Sequence, residues 1–195
     1  MASLVLSGDT SGAITVSAPA ISGSNTQTLA AVTGTLAPVV LGTAQTAPFT
    51  DNTRAEFTGI PPWVRRITVM LSNISTNGTS FHQIQIGSGS FATSGYTSQF
   101  WGGTGTSNVI TTGFGIFSIA TSTNTFAGSI ILTNISGNTW VSNGNCAYTN
   151  VNSVGWSSSG SSGTAISGTL DRIRVLTVNG TDTFDTGSVI NILYE

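Results

Sequence analysis

The chain has 195 residues, with 5 basic and 7 acidic side chains and a net charge of −2. Charged residues make up only 6%, none of them Lys, while 27 Ser, 32 Thr, 14 Asn and 24 Gly supply polarity without charge. That balance argues against a nucleic-acid partner, which calls for clustered Arg and Lys, and it removes most of the groups that catalysis uses.

Hydrophobic residues still reach 38% and mean hydropathy is +0.24, so the chain can bury a core. No apolar run reaches the ~18–20 residues of a membrane span. Met1-Ala2-Ser3-Leu4 opens no secretory signal, so a chain made and kept in a cytoplasm is expected. Cys146 is alone and reads as a small buried apolar residue rather than half of a disulfide.

Residues 1–50 read as an extended N-terminal β-arm. Leu4-Val5-Leu6 and Ala13-Ile14-Thr15-Val16-Ser17 are short β runs around a turn cluster at 7–12, and Pro19 ends the second run. Gly23-Ser24-Asn25 turns the chain before residues 26–29, and a further run covers 36–41. Strands with so little bulk bury no core alone, so the arm needs a partner: identical arms about an axis, or another protein. Residues 43–53 read as a polar connector.

From Glu56 the pattern is denser. Ile60-Pro61-Pro62-Trp63 predicts an extended segment, because a residue before proline is pushed out of the α region. Trp63, Arg65, Ile67, Val69 and Leu71 then share one face at period two, opposite Val64, Arg66, Thr68, Met70 and Ser72. Apolar groups on both faces predict a central or interface strand, with Trp63 in the core. Asn77-Gly78 predicts a tight hairpin turn into a strand where His82, Ile84 and Ile86 alternate with Gln83 and Gln85. Residues 87–109 read as a long loop holding at most a short strand.

Further strands are predicted at 113–120, 128–135 and 139–142, with Trp140 in the core. A turn follows at Asn143-Gly144-Asn145, then a strand within 146–156 and a low-complexity loop at 157–163. Residues 165–178 make a strong strand, Asn179-Gly180-Thr181 turns, and residues 189–194 close the chain. No 3.6-residue apolar stripe marks a helix. Short strands with turn signals every ~8–15 residues predict an all-β fold, a jelly-roll-like antiparallel β-sandwich over residues 51–195. Arg66-Ile67-Thr68-Val69 with Asn77-Gly78-Thr79 echoes Arg172-Ile173-Arg174-Val175 with Asn179-Gly180-Thr181, which predicts two similar β-hairpins in one sheet.

Three segments carry a family likeness. Gly59-Ile60-Pro61-Pro62-Trp63-Val64-Arg65-Arg66-Ile67-Thr68-Val69-Met70, the run Ser75-Thr76-Asn77-Gly78-Thr79-Ser80, and the end from Leu170 to Glu195 resemble a β-domain of tailed-bacteriophage virion proteins, often tail-fibre or appendage tips. The first 40 residues are similar to a β-arm of phage fibres, although Leu29-Ala30-Ala31 stands where that arm usually has Pro. Residues 88–165 carry no likeness. The resemblance implies a virion structural protein, a homotrimer held to other virion proteins through residues 1–50, with the sandwich displayed outward and no catalytic residues. Capsid decoration or a head fibre is the structural alternative.

His82 is the only histidine, so any His-based proton relay must use it; alternation with Ile84 and Ile86 reads as a packed structural role. Two carboxylates flanking a sugar bond would be needed for glycoside cleavage. The acids are Asp9, Asp51, Glu56, Asp171, Asp182, Asp185 and Glu195, and Asp182 with Asp185 reads better as turn chemistry. No metal-ligand spacing and no phosphate-cradling motif occurs, so no metal and no cofactor is expected. Tyr96, Phe100 and Trp101 lie among small polar residues, with Tyr148 and Trp156 in a second polar stretch. They are the candidate platform for a host-surface glycan, since a flat apolar ring with amides nearby suits a sugar. Asp171, Asp182, Asp185 and Glu56 are the expected mates of Arg65, Arg66, Arg172 and Arg174.

Overall fold

The computed structural model describes residues 3–7, 13–17, 38–49, 51–101, 107–117, 122–150 and 155–195. All regular elements among them are β-strands, and no helix there is long and apolar enough to cross a membrane. The chain divides into two compact units, Met1–Leu36 and Ala37–Glu195. In the first, β1 (Ser3–Ser7) and β2 (Ala13–Ser17) pair antiparallel, with Ser3 opposite Ser17. The turns and runs expected at 8–12, 19–29 and 33–36 lie outside the described residues.

The second unit begins with β3 (Val40–Leu41), β4 (Gln45–Thr46), β5 (Arg54–Thr58) and β6 (Arg66–Ile74). Next come β7 (His82–Ser88), β8 (Ser90–Phe91), β9 (Thr97–Trp101) and β10 (Ser107–Ile110). The rest are β11 (Phe114–Phe117), β12 (Phe126–Ser136), β13 (Thr139–Tyr148), β14 (Gly155–Ser161), β15 (Arg172–Thr177) and β16 (Val189–Tyr194). They build two antiparallel sheets. The nine-stranded sheet runs β10-β9-β14-β13-β12-β6-β16-β3, with β4 also on β16. The five-stranded sheet runs β11-β7-β15-β5, with β8 on β7.

Alternation explains how the sheets close on one another. Ile67, Val69 and Leu71 of β6 and Ile190 and Ile192 of β16 are buried, and so are Ile84, Ile86, Ile173 and Val175 of the smaller sheet. One apolar cluster joins them, with Trp140 and Cys146 inside it as expected. Cys146 is pushed up to about 12 because burial disfavours the thiolate. Bare backbone lets the sheets approach at one end. A Cβ on Gly115 would stand 2.8 Å from the Phe100 ring, and Gly115 N donates to Ser98 Oγ across the layer at 2.8 Å.

Several expectations change. The domain boundary falls after residue 36 rather than 50, because β3 and β4 pair with β16, and Ala47 and Phe49 are buried. Residues 43–53 are therefore an edge of the sandwich as well as a connection. Asn143-Gly144-Asn145 is no turn: it lies inside β13, opposite Ile131, Ile130 and Ser129. Ser157 to Ser161 is no loop but the body of β14, held between β13 and β9. Backbone partners on both sides make strands of residues too small to announce themselves. The stretch 165–178 is a strand only from Arg172. Trp63 precedes β6, is 38% exposed and leans on Tyr194 with ring centroids 5.9 Å apart, so it is not a core residue.

The two Asn-Gly segments differ most from expectation. β6 and β7 belong to different sheets, as do β15 and β16, so neither connection is a hairpin. Both cross from one layer to the other, side by side. Thr76 bridges Phe184, Asn77 N donates to Thr183 O, and Asp185 N donates to Ser75 O. Thr183 N returns a bond to Asn77 Oδ1, while Ser80 N donates to Asp182 Oδ2. The sequence echo marks two strands in opposite layers whose exits are stitched together.

Candidate functional site

The acids show what chemistry they can do. Arg54 lies between Asp51 at 2.8 Å and Glu56 at 2.7 Å, in an open groove of about 580 Å³. The Asp51 carboxyl sits below its ordinary value, chiefly because the Thr53 hydroxyl donates to it, with the Thr53 N–H second. Asp51 is thus held as a carboxylate, and both it and Glu56 are ion-paired to Arg54. Asp182 and Asp185 are structural staples: Asp182 accepts from Ser80 N and Asn179 Nδ2, and Asp185 from the Ser75 hydroxyl. Neither meets an Arg, contrary to expectation. Arg172 pairs with Asp171, Arg174 with Glu56 and Arg66 with Glu195, while Arg65 donates to the carbonyls of Pro62 and Val64. His82 is fully buried, with its ring edge-on to Phe126 and Phe184.

The proposed aromatic cluster does not assemble as one surface. Tyr96 is 3% exposed; its Oη accepts from Ile86 N at 3.0 Å and lies 3.2 Å from Ala92 O. Its hydroxyl is pushed up to about 12, mainly by burial. Phe100 is 1% exposed and stacks edge-on against Phe81. Tyr148 is half-buried against the core. The Trp156 side chain lies outside what is described. The physical reason is parity: Phe100 falls on the inward side of β9, and Trp101 on the outward side. Trp101 alone of the first three is presented to solvent, at 59% exposure.

What surrounds Trp101 was not foreseen. Trp101 stands opposite Ser157, and Ser157 opposite Asn145. The next outward row is Gln99, Ser159 and Asn143. All six side chains are exposed on the outer face of the nine-stranded sheet. Strands stand ~4.8 Å apart and outward residues ~6.7 Å apart along a strand, so the six make a grid of three columns by two rows. Shallow grooves of about 320 and 500 Å³ border it. Period-two alternation in Thr97-Ser98-Gln99-Phe100-Trp101 was the available sequence signal; Asn143 and Asn145 were hidden behind an apparent turn, and Ser157 and Ser159 behind an apparent loop.

Against known proteins, the chain matches no family model, no curated sequence and no solved structure.

Proposed function

We propose that this chain is a non-catalytic structural subunit of a bacteriophage virion, a homotrimeric tail-fibre or tail-appendage protein that displays its sandwich outward, towards the host surface. The observation that carries this reading is the way the virion-like segments meet. Residues 59–70, 75–80 and 170–195 are far apart in sequence, yet they supply the first part of β6, all of β15 and β16, and both stitched crossovers. β6 and β16 pair from Val189–Ser72 to Tyr194–Ile67, and the crossovers bond at Thr76–Phe184 and Asn77–Thr183. The likeness therefore falls on strands of both sheets joined by the two crossovers, while the unmatched residues 88–165 supply β8 to β14.

Composition supports the same reading, because interfaces between protein chains deplete Lys and tolerate Arg. Residues 1–36, the separate N-terminal unit, would then hold the subunit to other virion proteins. Electron cryo-microscopy of intact particles, with sedimentation of the purified chain, tests the reading. Trimers in solution and sandwich density at the tail are the expected result. Density on the capsid surface would replace the tail assignment with a decoration or head-fibre role, and a stable monomer absent from particles would overturn the virion reading altogether.

A further inference from the structure

We infer that the outer face centred on Trp101 is a binding site for a neutral glycan. The site stands whether or not the chain belongs to a virion, because it rests on side chains rather than on the family likeness.

Three observations converge. First, Trp101 is a large indole 59% exposed on a strand face, where the ring can lie against the apolar face of a sugar. Second, the hydrogen-bonding groups around it are unspent. Among the described residues, the side chains of Gln99, Asn143, Asn145, Ser157 and Ser159 make no intramolecular hydrogen bond. The contrast is Gln83 and Gln85 on the other sheet, whose amides are taken up by Thr112 and Arg174. Each free amide offers both donors and an acceptor and each hydroxyl offers one of each, which is the inventory that sugar hydroxyls match. Third, no ionisable side chain lines either bordering groove. A carboxylated or sulfated sugar would find no cation to replace its lost hydration, so the face selects an uncharged chain. Three columns by two rows give a footprint of roughly 10 by 7 Å, room for a short stretch of polysaccharide lying across β9, β14 and β13.

The test uses the full chain and a panel of soluble neutral hexasaccharides of gluco, manno and galacto configuration, with a hexasaccharide of hyaluronan as the acidic probe. Binding is read by calorimetry and by the shift of the Trp101 indole resonance. At least one neutral probe should bind saturably at millimolar concentration, and the acidic probe should not. Trp101→Ala should weaken that binding at least ~10-fold, and Gln99→Ala several-fold, with unfolding midpoints unchanged because both side chains are exposed. The inference fails if no neutral probe binds, if the acidic probe binds better, or if both variants bind as well as the parent. It fails equally if Trp101→Ala dissociates an oligomer in sedimentation, since the face would then belong to a second copy of the chain. Tail localisation of the particle protein, tested separately, decides the virion reading and leaves this one untouched.

Discussion

The two outer faces of this sandwich use the same kinds of residue in opposite ways. On the five-stranded sheet, Gln85 Oε1 accepts from Arg174 Nε at 2.8 Å, Gln85 Nε2 donates to Thr112 O, and Gln83 Oε1 accepts from Thr112 Oγ1. The Arg174 guanidinium lies 4.4 Å from the centre of the Phe91 ring and reaches Glu56 at 3.5 Å. On the nine-stranded sheet, the side chains of the grid around Trp101 make no hydrogen bond among the described residues and carry no charge. One patch is tied down by side chains that satisfy one another; the grid on the other sheet leaves its amides and hydroxyls unbonded among the described residues. Polar residues on a strand therefore carry little meaning until their partners are known.

Substitutions can break or sharpen this contrast. The interior that both sheets share sets the scale: Phe114→Ala, a fully buried ring edge-on to Tyr96, should cost about 3–5 kcal/mol, measured by urea unfolding. Arg174→Met should cost about 1–3 kcal/mol, because it strands the Gln85 amide oxygen in a buried position. Combined with Gln85→Met it should show a coupling of at least ~0.5 kcal/mol; strictly additive costs would mean the small face is not cross-linked.

An effect smaller than these is electrostatic. The Asp171 carboxyl lies below its ordinary value, first because Arg172 hydrogen-bonds it and also through the backbone N–H of Gly89. A depressed carboxyl favours the folded state above its unfolded pKa of roughly 3.9, and that stabilisation is lost as pH falls through the folded value. Asp171→Asn should therefore lower the urea midpoint at pH 6 slightly, and the difference from the parent should shrink towards zero at the most acid pH. Side chains this exposed contribute little. The smallest effect belongs to the other face: Asn145→Ala should change stability by no more than about 0.5 kcal/mol. A larger loss would show that the grid supports the fold rather than facing a ligand.

Much of the local structure was legible because its cause is local. β2 and β16 have the expected limits, and the buried alternation of β6 follows Ile67, Val69 and Leu71. The expected burial of His82, Trp140 and Cys146 agrees with the structure. The site was legible only at Trp101, through composition, and the same argument wrongly enlisted Tyr96 and Phe100, whose burial depends on which way β9 faces. Ser157 and Ser159 lack the bulk that marks a strand, and Asn143-Gly144-Asn145 has turn composition; both stretches are strands because β9, β12 and β13 supply ladder partners from distant parts of the chain.

The amino-acid sequence by itself determined an antiparallel all-β chain, since period-two alternation, β-branched residues and frequent turn formers act over a few residues at a time. Only the tertiary structure decided which layer each strand joins. An Asn-Gly link has the same composition whether the next strand lies beside the last or across the core, and here both links cross. The tertiary structure likewise decided which polar side chains are spent, because a hydrogen bond from Arg174 to Gln85 joins residues remote in sequence, and the exposed amides around Trp101 have no such partner among the described residues.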